Sequence, residues 1–231
     1  MAVSRDYSRI DYSRWTFLQR CFRGLIILLL RLLARAEVEG QENIPPSGPF
    51  VLAPNHIHIF DIPVIFGFMP RRAVVSAADK WQKAPFFGWL LSFFGDAIYV
   101  QRGEPDRRAL AQALDVLKAG GVLGLAPEGT RSRTGGLQQG RTGVVYLASR
   151  GQAPILPVVA FGQEKAFAHW LRLRRVPIKV RFGELITLPP GKYRTPQLGA
   201  HTDALMMALA RMLPPAYRGV YAQRLREEKE S

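Results

Sequence analysis

The stretch "NHIHIFD", Asn55 to Asp61, places two histidines and a carboxylate within one short segment. An imidazole with an unperturbed pKa of about 6.5 can take a proton from a hydroxyl near neutral pH. A carboxylate on its far nitrogen fixes the tautomer and stabilises the imidazolium. General-base help of this kind is worth about 10²–10⁴-fold in rate. His56 and Asp61 flank a strand-to-helix corner, so a turn could fold the carboxylate back onto the ring. Asp61 also has a plainer use, as N-cap of a helix that begins at Ile62. Spacing alone leaves both uses open.

A second segment, "PEGTRS" (127–132), follows an apolar run. Gly129 permits an unusual turn. Arg131 offers a fork of donors suited to phosphate. The plainer alternative is a solvated loop with a Glu128–Arg131 pair. Arg102 ends the strand-like "AIYVQR" (97–102) and can reach the same sheet edge. A general base beside two arginines points to a substrate with both a hydroxyl and a phosphate. Other chemistries lack their signatures. The sequence has no Walker-type loop, no GxGxxG after a strand and no Cys/His cluster at zinc spacing. It has no GxSxG nucleophile elbow either.

These residues need a scaffold, and the apolar periodicity supplies one. Strands are expected at 50–53, 73–77, 97–102, 122–126, 154–162 and 178–186. Helices are expected at 62–69, with Pro63 in the first turn, and at 105–121, 143–152 and 202–213. The segment 84–95, "APFFGWLLSFFG", is apolar almost all round and predicts a core helix, with a membrane-dipping or acyl-binding segment as the alternative. The tail "REEKES" is expected to fray. Strands alternating with helices predict an α/β domain, a mostly parallel central sheet flanked by helices.

The first residues have a different character. "RWTFLQRCFRGLIILLLRLLARA", Arg14 to Ala36, sorts on a helix at about 100° per residue. Trp15, Leu18, Phe22, Leu25, Ile26, Leu29 and Leu33 fall on one side, and Arg20, Arg23, Arg31 and Arg35 on the other. Its charge-free stretch is shorter than the roughly 20 apolar residues of a spanning helix. The pattern predicts an amphipathic helix lying in the membrane interface. The alternatives are a helix packed on the body and a signal peptide ending at "ARA", which Arg31 opposes. The predicted organisation is a membrane-associating segment at 1–36 and a catalytic domain at 37–231. The repeat "DYSR" at 6–9 and 11–14 suggests no chemistry.

The 231 residues carry 32 Lys and Arg against 18 acids, a net charge of +14. Such a surface suits an anionic membrane, phosphorylated substrates or nucleic acid. The basic run "RLRRVPIKVR" (172–181) has no aromatic interleaving or helix-turn-helix context, so nucleic acid is not an expected partner. Head groups suit it better. The single cysteine, Cys21, excludes an intramolecular disulfide and fits a reducing compartment.

Taken together, the segments resemble the glycerolipid acyltransferase family, which includes the lysophosphatidic acid and glycerol-3-phosphate acyltransferases. "NHIHIFD" resembles the HX4D motif, "GDAIYVQRG" (95–103) the second block, "PEGTRS" the third and "ILPVVAFG" (155–162) the fourth. The blocks occur in the family's order. "VRFGE" (180–184) and "YRGVY" (217–221) extend the likeness, which covers about Glu37 to Tyr221. Gln101 stands where many members place an acid.

The resemblance implies an O-acyltransferase in which His56 is the base and Asp61 orients it, with no role for His58. It implies a phosphate site of Arg102 and Arg131, shaped by Glu128, Gly129 and Thr130. A lysolipid hydroxyl would attack an acyl thioester directly, with neither an acyl-enzyme nor a metal or other bound cofactor. The implied donor is acyl-coenzyme A or acyl-acyl carrier protein. The implied acceptor is a lysophospholipid, lysophosphatidic acid giving phosphatidic acid, or else glycerol-3-phosphate or another lysolipid such as a lyso-ornithine lipid. Membrane phospholipids are the expected partners, and the expected location is monotopic on the cytoplasmic face of the cell membrane. From another class, a non-catalytic membrane-lipid-binding protein could keep the same fold.

Overall fold

The computed structural model describes residues 5–101 and 106–230. The chain runs α1 (Phe17–Leu33), β1 (Ala34–Glu39), β2 (Phe50–Pro54), α2 (Asp61–Phe68), β3 (Ala73–Ala78), α3 (Pro85–Phe94) and β4 (Ile98–Val100). It continues α4 (Arg107–Lys118), β5 (Val122–Gly124), α5 (Gly143–Gly151), β6 (Ile155–Phe161), α6 (Ala166–Trp170), β7 (Val176–Phe182), α7 (Thr195–Met212) and α8 (Ala222–Glu230). The α/β class expected from the alternation is what folds.

The strands form one sheet in the order β1-β7-β6-β2-β5-β3-β4. Pairing is parallel except between β6 and β7, so β1 and β7 run against the rest. β2 lies between β5 and β6, with Leu52 opposite both Gly124 and Leu156. It is buried on both faces. Phe50 and Leu52 point into one core layer with α2, and Val51 and Ala53 into the opposite layer with α4 and α5. This period-two sorting is why the run reads as continuously apolar. Because β2, β5 and β6 are parallel, the loops that leave all three emerge at one edge, where open α/β sheets place their sites.

The N-terminal segment is folded onto this body. A capping box starts α1: Thr16 Oγ1 accepts from the Gln19 N–H, and Gln19 Oε1 accepts from the Thr16 N–H. Phe22, Ile26 and Leu30 pack towards the core, while Phe17, Leu18, Leu25, Leu28, Leu29, Leu32 and Leu33 are exposed. The helix therefore carries two apolar surfaces, one on α2 and one facing outwards. Arg23 departs from the expected polar face, because its guanidinium donates to the Phe66 and Gly67 carbonyls of α2. Arg35 and Ala36 lie in β1 rather than in the helix. Among the described residues no helix is long and apolar enough to cross a membrane.

The "DYSR" repeat has a structural use. In each copy the aspartate accepts the backbone N–H and the hydroxyl of the serine two residues on. In each, the tyrosine is buried: Tyr7 donates to the Ala97 carbonyl and Tyr12 to the Tyr7 carbonyl. Burial pushes the Tyr7 phenol up to about 12. The segment before α1 is thus an N-terminal strap, held at Arg5 by an ion cluster around the buried Asp96, which lies 2.6 Å from Arg5 and 2.7 Å from Arg72.

Two expectations change. α3 is not a core helix: Phe94 is buried, but Trp89 is exposed and stacks on Phe93. A helix over the β3–β4 edge has body on one side only, so part of its apolar surface stays outside. The tail does not fray up to Glu230. Leu225 of α8 is buried against the α7 cluster, and Arg211 pairs with Glu228 at 2.7 Å.

Candidate active site

The strand β2 ends at Pro54, and Asn55 pins the start of the next loop. Its side chain donates to the Ala160 carbonyl at 3.0 Å and accepts from the Ala160 N–H at 2.8 Å. The chain then turns so that Asp61 opens α2. Asp61 Oδ2 lies 2.8 Å from His56 Nδ1 and also accepts the N–H groups of Ile57 and His58 at 2.8 and 2.9 Å. The carboxylate thus closes the 56–61 loop on itself and holds the ring. No side-chain capping bond marks the α2 start, so the N-cap alternative does not describe Asp61.

A carboxylate on Nδ1 places the Nδ1 proton in that contact and leaves Nε2 as the acceptor. The His56 side chain is 29% exposed while that of Asp61 is 3% exposed. The ring can meet a substrate at one nitrogen while its partner stays dry. His58 is placed otherwise. The Asp61 side chain takes only its backbone N–H, and its Nδ1 lies 3.4 Å from the Phe60 N–H.

Sequence reasoning missed a third group in this chain of contacts. Gln163, fully buried, donates from Nε2 to Asp61 Oδ1 at 2.7 Å and to the Ala160 carbonyl at 3.1 Å. Gly162 makes this possible. Its φ is +98°, and a Cβ there would sit 2.1 Å from the Pro177 carbonyl oxygen. The available signal was a glutamine just beyond the glycine that ends a fully buried strand.

The 127–132 loop is fastened to the same segment. Glu128 is buried, and Oε1 accepts the His56 N–H at 2.8 Å while Oε2 accepts the Gln138 N–H at 2.9 Å. The His56 carbonyl accepts the Ser132 N–H at 2.8 Å. Burial raises the Glu128 carboxyl above its ordinary range, and the Gln138 and His56 N–H donors pull it back. Glu128 is therefore a clamp between two loops, and its oxygens are not turned to a ligand. Gly129 has φ +67°, and a Cβ there would come within 2.8 Å of Arg141 Cδ. Thr130 supplies its carbonyl to Gln138 Nε2 at 3.1 Å. Arg131 is exposed, one residue before the Ser132 N–H that binds His56. Arg141, whose side chain lies over Gly129, is a further exposed guanidinium at this loop. Arg102 lies outside the described residues. Among the described residues no group of His, Cys, Asp and Glu is placed to hold a metal.

The site thus joins an oriented imidazole to an arginine-bearing loop at the centre of a sheet edge. The fold that carries it is found in a protein of known kind. The fold matches the crystal structure of the 1-acyl-sn-glycerophosphate (LPA) acyltransferase PlsC from Thermotoga maritima, with TM-score 0.62 and 24% identity, over 83% of this chain and 78% of that one. The 1-acyl-sn-glycerol-3-phosphate acyltransferase of Saccharomyces cerevisiae is 31% identical over 150 residues, 61% of this chain and 46% of that protein. The enzyme of the same name from Borreliella burgdorferi is 32% identical over 133 residues, 56% of this chain and 52% of that protein. The chain spans about half the length of the curated relatives it matches. The family model described as Acyltransferase matches residues 35–160, more than half the chain. That match takes in His56, Asp61 and the whole 127–132 loop, so the chain belongs to the acyltransferase family.

Proposed function

We propose that the protein transfers a fatty acyl group from acyl-coenzyme A or acyl-acyl carrier protein to the hydroxyl of a lysophospholipid, converting lysophosphatidic acid to phosphatidic acid. The contact between His56 Nδ1 and Asp61 Oδ2, with Nε2 bound to no group among the described residues, carries this reading. Relatives named for the same reaction support the acceptor.

His56 Nε2 accepts the proton as the acceptor hydroxyl attacks the thioester carbonyl. The tetrahedral intermediate collapses, the C–S bond breaks, and the thiolate takes the proton from the imidazolium. Asp61 holds the ring and stabilises its positive charge during the step. Gln163 holds Asp61. Arg102 and Arg131 bind the acceptor phosphate, joined by Arg141. Gly129 and Thr130 shape that pocket, and Glu128 acts from behind it by fixing the loop. Neither an acyl-enzyme nor a bound cofactor takes part.

Within residues 1–36, α1 is the membrane-associating element, and its inner face packs on the acyltransferase domain. The outward leucines of α1 enter the interface between head groups and acyl chains, and the arginines meet anionic lipid. The protein sits monotopically on the cytoplasmic face of the cell membrane, with phospholipids as its partners.

The test is acyl transfer by purified protein in vesicles. Each donor is paired with lysophosphatidic acid, glycerol-3-phosphate or another lysolipid, and products are read by mass spectrometry. Phosphatidic acid is expected. His56→Ala should lower its formation about 10²–10⁴-fold, and His58→Ala should leave most of it. Another acylated acceptor would keep the mechanism and overturn the substrate. No acylation by folded protein with either donor would overturn the enzymatic reading.

A further inference from the structure

We propose that the turn between α6 and β7, residues 171–175, is a second point of insertion into an anionic bilayer, beside α1 and next to the catalytic loop. This deepens the membrane reading given for α1, and the two can fail separately.

The turn presents apolar side chains without cover. Leu171 is 87% exposed and Leu173 is 97% exposed. Leu173 also sits at φ +52°, where its Cβ crowds the backbone and a glycine would fit without strain. The turn is nevertheless well built. The Arg172 and Arg174 N–H groups both donate to the His169 carbonyl, and the Leu173 N–H donates to the Trp170 carbonyl. A strained leucine displayed on an ordered tip is an apolar contact waiting for a partner.

The surrounding charge selects that partner. Arg172 and Arg174 flank Leu173 and are exposed, and among the described residues neither has an ion-pair partner. The remaining cations of the basic run are already engaged. Lys179 pairs with Glu37 at 2.7 Å and Arg181 with Glu39 at 2.8 Å. Arg175 donates to the Ala34 carbonyl at 2.9 Å and to the Arg31 carbonyl. Alternating leucine and unpaired arginine suit acyl chains below and anionic head groups above.

The turn is fixed to both neighbours that matter. Arg175 and Trp170, whose Nε1 donates to the Leu33 carbonyl at 3.1 Å, tie it to the C-terminal end of α1. The base of the turn is therefore fixed beside the end of α1, where Leu32 and Leu33 are exposed. On the other side, Phe167 and Trp170 touch Phe60 at ring distances of 5.8 and 5.7 Å. Phe60 immediately precedes Asp61. The helix that leads into the tip thus touches the 56–61 loop.

The test uses an environment-sensitive fluorophore on a single cysteine. In one protein it is on native Cys21, which is exposed on the outward side of α1. In the other it is on Leu173→Cys in a Cys21→Ser background. Vesicles are phosphatidylcholine with or without phosphatidylglycerol. A blue shift at position 173 with the anionic vesicles is expected. Leu171→Ser combined with Leu173→Ser should weaken vesicle partitioning at least about tenfold. Both leucines lie on the surface, so the variant keeps its core. A shift at Cys21 alone overturns this proposal and leaves the α1 reading standing. A shift at 173 alone supports it and removes the α1 reading. No shift at either overturns both. A shift without vesicles that grows with protein concentration would assign the tip to a second copy of the chain and overturn the proposal.

Discussion

His56, Asp61 and Gln163 form a line of contacts in which each polar group fixes the next. Asp61 accepts three donors on Oδ2 and one on Oδ1, so the carboxylate has little freedom to rotate. The Gln163 bond is buried and charge-assisted, the class that contributes most. With His56 as the proposed base, Gln163→Ala should lower kcat about tenfold at unchanged KM for both substrates, because only the orientation and polarity of that base are touched. Gln163→Asn, with a shorter reach, should not restore the rate, whereas Gln163→Glu should depress it further by setting a second carboxylate beside the first. Steady-state kinetics decide this. A rise in KM with kcat intact would place Gln163 in substrate binding instead.

At the scale of elements, two loops from neighbouring strands share one buried carboxylate. Glu128 ties the loop after β5 to the loop after β2, and its folded-state pKa lies above the ordinary glutamate value because of burial. As pH rises through the ordinary glutamate range, the unfolded chain releases its proton first. The folded chain then binds more protons, so stability falls with rising pH until Glu128 itself ionises. Glu128→Gln removes this slope. Thermal unfolding of both proteins at successive acidic pH values should show the wild type losing stability relative to the variant as pH rises, against the common background of the other carboxylates. The variant also forfeits one of the two backbone N–H bonds, since an amide has a single acceptor oxygen. Parallel curves for the two proteins would refute the assignment.

At the scale of the whole molecule, the N-terminal strap makes α1 part of the domain. Asp96 joins Arg5 from the strap to Arg72 before β3, and Gln19 of α1 donates to the Phe93 carbonyl nearby. Trp15 stacks on Phe94 at 5.4 Å. Asp96→Ala would leave the buried Arg72 guanidinium without its counter-ion, a loss of about 3–5 kcal/mol. Urea unfolding should show that decrease, and Arg72→Met added to it should recover part. Limited proteolysis should also cut the strap sooner in the single variant. An unchanged midpoint would mean that the ion cluster does not hold the strap.

What the sequence determined by itself is local. The alternation of apolar runs specified the α/β class and most elements, because side-chain period comes directly from backbone geometry. His56 before Asp61 and the 127–132 segment were legible because few residue types serve such chemistry and their order resembles a family. The tertiary structure decided the rest, because burial and direction depend on what lies across a contact. The same leucine-rich helix has one apolar side on α2 and another facing outwards, and no periodicity separates the two. Glu128 reads as a pocket residue in its motif, yet folding turns it inwards to two backbone donors. Gln163 lies 102 residues from Asp61 in the chain, and only the parallel pairing of β2 with β6 brings them together.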